Sequence, residues 1–293
     1  MNRFATPPEV VDRLHEGDYL SDESIATVVF LADRLEKPVL VEGPAGTGKT
    51  ELAKAVASAT GSKLIRLQCY EGVDEAKALY EWNYKKQLLR IQAEGGREQS
   101  WEQVETNIFS EDFLLERPLL AAIRSDEPTV LLVDEIDKTD FEFEGLLLEL
   151  LSDFQVTIPE MGTVHAKQIP FVFLTSNNTR ELSEALKRRC LYLYLDYPDL
   201  EREKAIVLTR VPEIPEILAD QIVRLVRSIR AMELKKAPSI AETLDWARTL
   251  LHLGITEVDE AVAKRTMSVL LKFQTDIEKV AGHLKIQPNP RNN

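Results

Sequence analysis

Short apolar runs alternate with amphipathic stretches over the first two thirds of the chain. The runs are almost continuously hydrophobic and predict buried strands near residues 39–42, 64–67, 129–133, 169–175 and 191–196. Between them, apolar positions recur with the helical period and predict helices near residues 21–35, 49–60, 141–151 and 179–189. Buried strands separated by helices are typical of a parallel sheet. The predicted fold class is therefore α/β, a three-layer αβα core with a parallel sheet.

Two segments interrupt this alternation. Residues 155–158 and 163–166 alternate around Met161-Gly162 and predict a β-hairpin. Residues 71–123 are rich in charge and aromatic side chains, with a turn or loop at residues 94–97, and we interpret them as an insertion around a helix.

The strand pattern stops after Pro198. Amphipathic patterns predict four or five helices near residues 199–209, 214–232, 239–252, 257–264 and 266–284. We therefore divide the chain into an N-terminal arm (1–19), an α/β core (20–197), a small all-α domain (198–286) and a tail (287–293). The tail holds two prolines and three asparagines and is expected to be disordered.

A glycine-rich loop directly follows the first predicted strand. The loop and the first helical residues after it are Gly43, Pro44, Ala45, Gly46, Thr47, Gly48, Lys49 and Thr50. This is the Walker A pattern in its strand–loop–helix context, where backbone N–H groups and the positive end of a helix can surround a polyphosphate. Lys49 would reach the β- and γ-phosphates, and the Thr50 hydroxyl would bind Mg²⁺. The motif predicts a bound nucleoside triphosphate.

Two acidic residues end the third predicted strand, as in a Walker B motif. Asp134 would hold Mg²⁺, and Glu135 would polarise the attacking water as the catalytic base. In a parallel sheet both would emerge where ligands bind, at the carboxyl ends of the strands. For Asp137 we expect a helix-capping or solvated role, because two carboxylates are enough for this chemistry.

Polar residues after the fourth predicted strand complete the candidate catalytic set. Asn177 could hold the attacking water opposite Glu135 as a sensor 1 residue, although a turn cap is the alternative. Arg188 and Arg189 end the next helix and could act as arginine fingers on the γ-phosphate of a neighbouring subunit. The alternative for this pair is a solvated helix end favoured by the helix dipole.

Composition narrows the classes of partner. The 293 residues carry a net charge of −13, which disfavours general nucleic-acid affinity, although a local basic channel in an oligomer would escape this argument. The two cysteines lie in no disulfide or zinc pattern. No apolar run is long enough to span a membrane, and the N-terminal residues do not resemble a secretory signal. We expect a cytoplasmic protein.

The motifs GPAGTGKTELAKAVA, VLLVDEIDK and FLTSNNTRELSEALKRR resemble those of the AAA+ ATPases, and of the MoxR-type family within them, over about residues 20–200. The fragments LIRLQCYEGVDEAKALYEWNYKKQLL and FLLERPLLAAI are similar to the CoxD-type accessory ATPases of molybdenum carbon monoxide dehydrogenase. The resemblance implies ATP as the nucleotide, a homo-oligomeric ring of six subunits, and an all-α domain that acts as a lid. It also implies a helix 2 insert within about residues 70–109 and a pre-sensor 1 hairpin at about 155–167. The implied partners are a von Willebrand factor A domain protein and a protein client, with a molybdenum-containing metalloenzyme as the candidate client.

One segment departs from the family pattern. The family usually has a sensor 2 arginine where the lid helix begins, but residues 237–242 contain none. Either Lys235 or Lys236 substitutes for it, or the lid contributes less charge to the nucleotide. The aromatic residues Tyr80, Trp82 and Tyr84 could form a surface that grips a client, or the small core of the insert.

The leading hypothesis is an ATP-hydrolysing chaperone that remodels a protein client. The main alternative is an AAA+ motor or loader that acts on nucleic acid, which the acidic pI disfavours. A switch that binds nucleotide without turnover fits Glu135 less well. A P-loop metabolite kinase fits Asn177 and the arginine pair less well.

Overall fold

The computed structural model describes residues 3–94 and 108–283. The chain forms two compact units by its internal contacts. The first contains residues 1–17, 21–43 and 49–194, and the second contains residues 18–20, 44–48 and 195–293. Residues 95–97 of the predicted loop (94–97) and part of the helix 2 insert lie outside the described residues, whereas Glu94 is helical. The predicted tail, residues 287–293, also lies outside them.

A five-stranded parallel sheet forms the centre of the first unit. The strands of the described residues are β1 (Val39–Glu42), β2 (Lys63–Gln68), β3 (Tyr80–Trp82), β4 (Leu114–Glu116), β5 (Thr129–Asp134), β6 (Gln155–Ile158), β7 (Gly162–His165), β8 (Phe171–Ser176) and β9 (Leu191–Tyr194). The central sheet has the order β2-β5-β8-β1-β9, and every neighbouring pair is parallel. All residues of β1, β5 and β8 are buried, as expected for strands covered on both faces.

Eight helices accompany these strands in the described part of the first unit. They are α1 (Pro7–Glu16), α2 (Glu23–Leu35), α3 (Lys49–Ala59), α4 (Glu75–Ala78), α5 (Tyr84–Glu94), α6 (Pro118–Arg124), α7 (Phe141–Asp153) and α8 (Glu184–Arg189). The Asp22 side chain caps α2 by accepting a hydrogen bond from the Ile25 N–H at 2.8 Å. The expected α/β architecture, with a parallel sheet and flanking helices, is confirmed.

The predicted helix at residues 179–189 begins later than expected. It starts at Glu184, with Ser183 as the N-cap. Residues near Thr179 do not continue the helix because the backbone N–H and hydroxyl of Thr179 both bond to the Asp137 carboxylate, at 3.0 and 2.6 Å. A side-chain partner far away in sequence therefore sets the start of this helix.

The aromatic residues of the insert divide between core and surface. Trp82 is buried and meets Tyr80 and Phe109 edge-on, with ring centroids 6.2 and 5.2 Å away. Tyr84 begins α5 and is 61% exposed. Trp82 and the half-buried Tyr80 therefore join the hydrophobic core of the first unit, which also contains Leu40 and Leu131, whereas Tyr84 is exposed.

The second unit is built mainly from helices α9 (Leu200–Arg210), α10 (Glu216–Arg230), α11 (Ile240–His252), α12 (Glu260–Leu270) and α13 (Gln274–His283). Its core centres on the fully buried Trp246, whose indole N–H donates to the Thr266 hydroxyl at 2.8 Å. The predicted boundary between helices at residues 264–266 is wrong. Asp259 caps one helix that runs through this point, and the extended backbone of Leu271 ends it.

Membrane-spanning helices are not found in the described ranges 3–94 and 108–283, where none is both long enough and apolar enough to cross a bilayer.

Candidate nucleotide site

The candidate site lies where three neighbouring strands of the central sheet end. The Walker A loop follows β1, Asp134 ends β5, and Ser176 ends β8, and these strands are adjacent in the order β5-β8-β1. Because parallel strands place their carboxyl ends on one edge of a sheet, motifs far apart in sequence meet there. The sheet order thus places Thr50 beside Asp134 and Asn177 beside Glu135.

Lys49 begins α3 and is buried at the base of the Walker A loop. Its ammonium group donates a hydrogen bond to the Gly43 carbonyl at 2.7 Å. Burial lowers the pKa of Lys49 below its usual range, and the nearby negative charges of Asp137, Asp134 and Glu135 oppose this effect. Lys49 thus lies within the electrostatic field of the three carboxylates that follow β5.

Asp134 has hydrogen-bond donors on both carboxylate oxygens. The hydroxyls of Thr50 and Thr175 donate to Oδ1, at 2.9 and 2.5 Å. Arg66, on β2, donates to Oδ2 from Nε at 3.1 Å and from Nη2 at 2.5 Å. The Asp134 side chain is only 3% exposed, so this set of donors stabilises a buried charge.

Glu135 follows Asp134 with a left-handed backbone, φ 61° and ψ 48°. Its backbone N–H donates to the Thr175 hydroxyl at 2.9 Å, which fixes this unusual conformation. The carboxylate accepts a hydrogen bond from the Gln68 amide at 2.8 Å and a long one from Asn177 at 3.4 Å, and it forms an ion pair with Lys138. The structure therefore brings together Glu135 and Asn177.

The solvated role expected for Asp137 is wrong, because its side chain is buried. Burial alone would raise the pKa of Asp137, but hydrogen bonds from the Thr179 side chain and backbone and from the Asn177 backbone lower it below the usual range. Asp137 thus ties the 3₁₀ turn after Asp134 to the segment after β8. It is also not a helix cap, since Asp140 caps α7.

Arg188 and Arg189 lie at the end of α8, and their hydrogen bonds do not go to the carboxylates of this site. Arg188 is 79% exposed at its side chain and pairs with Glu184 at 2.9 Å, an i, i+4 pair on the same helix. Arg189 donates to the Ser152 hydroxyl at 2.6 Å and is also exposed. Neither is therefore joined to Glu135 or Asp134 within the subunit.

Three polar residues of the site were not predicted from the sequence: Arg66, Gln68 and Thr175. Arg66 and Gln68 are two residues apart, so their side chains share one face of β2, the neighbour of β5. The alternation of polar residues near the end of β2 was the sequence pattern that could have predicted that Arg66 and Gln68 face the site. Thr175 reads as an ordinary strand residue, and only the sheet order brings its hydroxyl to Asp134.

Walker A residues Pro44–Gly48 fall within the second compact unit, together with the start of α11. The Ile240 N–H donates to the Gly46 carbonyl at 3.3 Å. Gly46 has φ +75°, and a Cβ built on it would lie 2.3 Å from the Ser239 Cβ. Only glycine fits this position, for both its backbone conformation and its space.

The two lysines considered for the sensor 2 position have other partners. The Lys235 ammonium lies 5.7 Å from the centre of the Phe273 ring, and the Lys236 ammonium lies 3.6 Å from the Glu242 carboxylate. A third cation, Arg230, is buried in an ion pair with Glu203. The choice between a lysine substitute and a lid of weaker charge stays open.

The donors available for a metal ion are of the type that Mg²⁺ prefers. Thr50 and Asp134 offer hydroxyl and carboxylate oxygens, and Mg²⁺ in nucleotide sites typically uses one or two such ligands with phosphate oxygens and water. A site made only of protein groups is not expected in that chemistry. The described residues hold no cluster of three or more His, Cys, Asp or Glu side chains suited to a metal.

Neither cysteine is suited to reactive or metal-binding chemistry. Cys69 and Cys190 are free thiols, and burial raises the pKa of each to about 12. Both are therefore protonated near neutral pH, as structural thiols are.

A five-stranded parallel sheet with a Walker A loop after β1 and an acidic pair after β5 defines a P-loop nucleotide-binding protein of the AAA+ ATPase class. The chain belongs to the AAA domain family, dynein-related subfamily, whose family model matches residues 38–190, just over half of the chain.

Uncharacterised proteins from two Staphylococcus species are similar to this chain over nearly its full length. One from Staphylococcus haemolyticus is 24% identical over 277 residues, which cover 91% of this chain and 96% of the relative. Another from Staphylococcus aureus is 26% identical over 267 residues, or 87% of this chain and 91% of the relative. These relatives do not distinguish the MoxR-type and CoxD-type groups, which stay predictions.

The fold is similar to that of a solved mutant of RuvB from Thermotoga maritima. The match has a TM-score of 0.50 and 18% sequence identity, and it covers 91% of this chain and 71% of the RuvB chain. At this identity the comparison shows a shared AAA+ fold.

Proposed function

We propose that this protein is a Mg²⁺-dependent ATPase of the MoxR type that acts as an oligomeric ring, a hexamer by resemblance, to remodel or mature a protein client. The observation that carries the proposal is the meeting of Lys49, Thr50–Asp134 and Glu135–Asn177 at one edge of the sheet, while the arginine pair points elsewhere. These residues can bind the nucleotide and activate a water molecule for phosphoryl transfer. They lack only a cation, supplied by another subunit, that contacts the γ-phosphate.

Each residue has a separate task in the proposed reaction. The Walker A loop and Lys49 bind the phosphates, and Thr50 and Asp134 hold Mg²⁺, which neutralises phosphate charge when bound. Glu135 polarises the attacking water, and its 31% side-chain exposure leaves it open to that water. Asn177, at 3.4 Å from Glu135, orients the same water.

The arginine pair supplies the reason for an oligomer. Arg188 is held only by an exposed i, i+4 pair, which contributes at most about 0.5 kcal/mol, so it is free to take a better anionic partner. A guanidinium from a neighbouring subunit would stabilise the charge that develops on the γ-phosphate. An isolated subunit is then expected to bind ATP and hydrolyse it poorly.

Client binding is proposed for the insert and the hairpin. The first two turns of α5 expose apolar side chains, with Leu88 at 59% and Leu89 at 66%, next to the exposed Tyr84. Exposed apolar groups on one short helix are unusual on a surface that contacts only water. A molybdenum-containing metalloenzyme as client and a von Willebrand factor A domain protein as partner rest on the family resemblance.

Mixed oligomers test the composite site directly. Glu135→Gln and Arg189→Ala subunits should each have little ATPase activity alone, while both bind ATP. Mixing them should restore activity, because some interfaces then combine an intact Glu135 with an intact Arg189. The same mixing series with Arg188→Ala decides which arginine acts, and Arg224→Ala, an exposed i, i+4 pair on α10, is the matched control.

Three outcomes would contradict the proposal. Unchanged turnover in Glu135→Gln would remove Glu135 from the reaction. Mixtures that stay inactive would contradict sharing of the site between subunits. Turnover that requires DNA and falls steeply with salt concentration would favour the nucleic-acid motor instead.

A further inference from the structure

The Arg66 guanidinium contacts Oδ2 of Asp134, the carboxylate oxygen that no threonine contacts. Oδ1 accepts from two threonine hydroxyls, whereas Oδ2 accepts both contacts from the Arg66 guanidinium, at 3.1 and 2.5 Å. A buried carboxylate without a cation is strongly destabilising, so Arg66 provides the charge that Asp134 needs in this state.

We infer that Arg66 is a resident counter-cation of Asp134 that must leave when Mg²⁺ and nucleotide bind. The inference rests on the proposed function, because it assumes that Asp134 contributes to the Mg²⁺ site. A guanidinium 2.5 Å from Oδ2 and a divalent cation at the same carboxylate repel each other. Arg66 therefore competes with the metal and sets how strongly nucleotide binding depends on it.

The position of Arg66 allows this displacement. It lies on β2, which is an edge strand of the central sheet, and its side chain is 44% exposed while that of Asp134 is 3% exposed. An arginine whose side chain is already this exposed can return to water at a small free-energy cost. The buried aspartate cannot move in the same way, since Thr50 and Thr175 also hold it.

Departure of Arg66 also changes a partner of Glu135. The Gln68 side-chain oxygen accepts a hydrogen bond from Arg66, and its amide group donates to Glu135 at 2.8 Å. One carboxamide thus connects the metal-binding carboxylate to the catalytic carboxylate. Loss of the Arg66 contact frees Gln68 to rotate, so the arrival of the metal is communicated to Glu135.

A different role for Arg66 predicts a different result. If Arg66 bound phosphate directly, its removal would weaken nucleotide binding equally with and without metal. If Arg66 is displaced by the metal, its removal should strengthen binding with Mg²⁺. Without Mg²⁺ it should weaken binding, because the unpaired Asp134 charge then repels the phosphates. The ratio of the two dissociation constants separates the roles.

The experiment measures binding of a fluorescent, non-hydrolysable ATP analogue to the full chain, once with excess Mg²⁺ and once with EDTA. We expect the ratio of the EDTA to the Mg²⁺ dissociation constant to rise about tenfold in Arg66→Ala, which corresponds to about 1.4 kcal/mol. The Mg²⁺ concentration for half-maximal binding should fall. Arg66→Lys keeps the charge and should stay near the wild type.

Controls separate this inference from the proposed function and from misfolding. Arg248→Ala removes an arginine of similar exposure, 48%, from an ion pair in the helical unit, and should leave the ratio unchanged. Arg66→Gln keeps a polar side chain without the charge and gives a second test of charge removal if Arg66→Ala folds poorly. Circular dichroism reports folding of each protein.

An unchanged or lower ratio in both Arg66→Ala and Arg66→Gln overturns the inference. That result leaves the proposed function standing, provided that wild-type binding still depends on Mg²⁺ and is lost in Lys49→Ala. Wild-type protein that does not bind the analogue, or Lys49→Ala that binds it fully, would instead overturn the proposed function and with it this inference.

Discussion

A buried ion pair in the second unit lends itself to a quantitative prediction of stability. The Arg230 guanidinium meets the Glu203 carboxylate through two hydrogen bonds, at 2.6 and 2.7 Å, with side-chain exposures of 8% and 0%. Arg230 also donates from Nε to the Pro238 carbonyl at 2.6 Å and stacks 4.5 Å from the centre of the Tyr197 ring. It therefore links α9, the end of α10 and the segment that leads into α11.

Arg230→Ala leaves Glu203 buried and without a cation. Removing one partner of such a pair typically costs about 3–5 kcal/mol, because the remaining charge keeps its desolvation penalty. The Pro238 carbonyl and the Thr243 hydroxyl, 3.1 Å from Arg230, also lose a donor. We expect the free energy of unfolding to fall by at least about 3 kcal/mol, within the range for breaking a buried pair.

Urea unfolding followed by circular dichroism measures this loss. For an m-value of about 1–3 kcal/mol/M, a loss of about 3 kcal/mol lowers the midpoint by about 1–3 M. Hydrogen exchange of peptides from residues 200–252 should show that the loss is centred on α9 to α11.

The matched control is Arg224→Ala on the same helix, whose partner Asp220 is four residues away. That pair is 61% and 31% exposed at its side chains, so Arg224→Ala should lower the free energy of unfolding far less than Arg230→Ala does. The double variant Glu203→Met/Arg230→Met should recover much of the lost stability, since apolar replacement of a whole buried pair is often neutral. An Arg230→Ala protein as stable as Arg224→Ala would refute the reasoning.

Three other substitutions test the nucleotide site. Thr175→Val removes the hydroxyl that bonds to Asp134 and Glu135. ATPase activity should fall at least about tenfold, the rate equivalent of one lost charged hydrogen bond, and Thr175→Ser should restore it. Equal activity of the two variants would contradict this prediction. Asp137→Asn removes a carboxylate whose pKa is lowered on folding. The ionised carboxylate of the wild type stabilises the protein above roughly pH 4, and this stabilisation is lost as the pH falls through the lowered pKa. Urea unfolding at a series of pH values should therefore show a gap between wild type and Asp137→Asn that narrows in acid, and a constant gap would be the wrong outcome. Gly46→Ala places a Cβ 2.3 Å from the Ser239 Cβ, so ATP affinity should fall more than about tenfold, or about 1.4 kcal/mol. Gly254 also has a positive φ, +66°, but a Cβ added there meets no atom within 4 Å, so Gly254→Ala should only destabilise the fold. Binding titrations compare the two glycine variants.

Local sequence patterns predicted much of the fold. The continuous apolar run at 129–133 became β5, with every residue buried, because such a run has few other stable environments in a soluble chain. The Walker A loop was likewise recognisable from a contiguous pattern. The predicted helix boundary at residues 264–266 was wrong, because Asp259 caps the start of this helix and the extended backbone of Leu271 ends it.

Other features depend on contacts between distant residues. Asp137 was expected to be capping or solvated, yet it is buried, and Thr179, 42 residues later, donates two hydrogen bonds to its Oδ2. Arg66 and Thr175 lie 68 and 41 residues from Asp134, and neither spacing suggests a contact. Only the order of strands β2, β5 and β8 in the sheet makes these residues neighbours.

The sequence by itself determined that the chain has a phosphate-binding loop, an acidic pair after a buried strand and helices after the sheet, because these are contiguous patterns set by local backbone preferences and burial. The tertiary structure decided which groups surround Asp134 and Glu135 and that the arginine pair contacts neither. Those contacts follow from strand order and helix ends, which depend on packing across the whole unit. The Walker motifs could thus be predicted, whereas the charge balance around them required the fold.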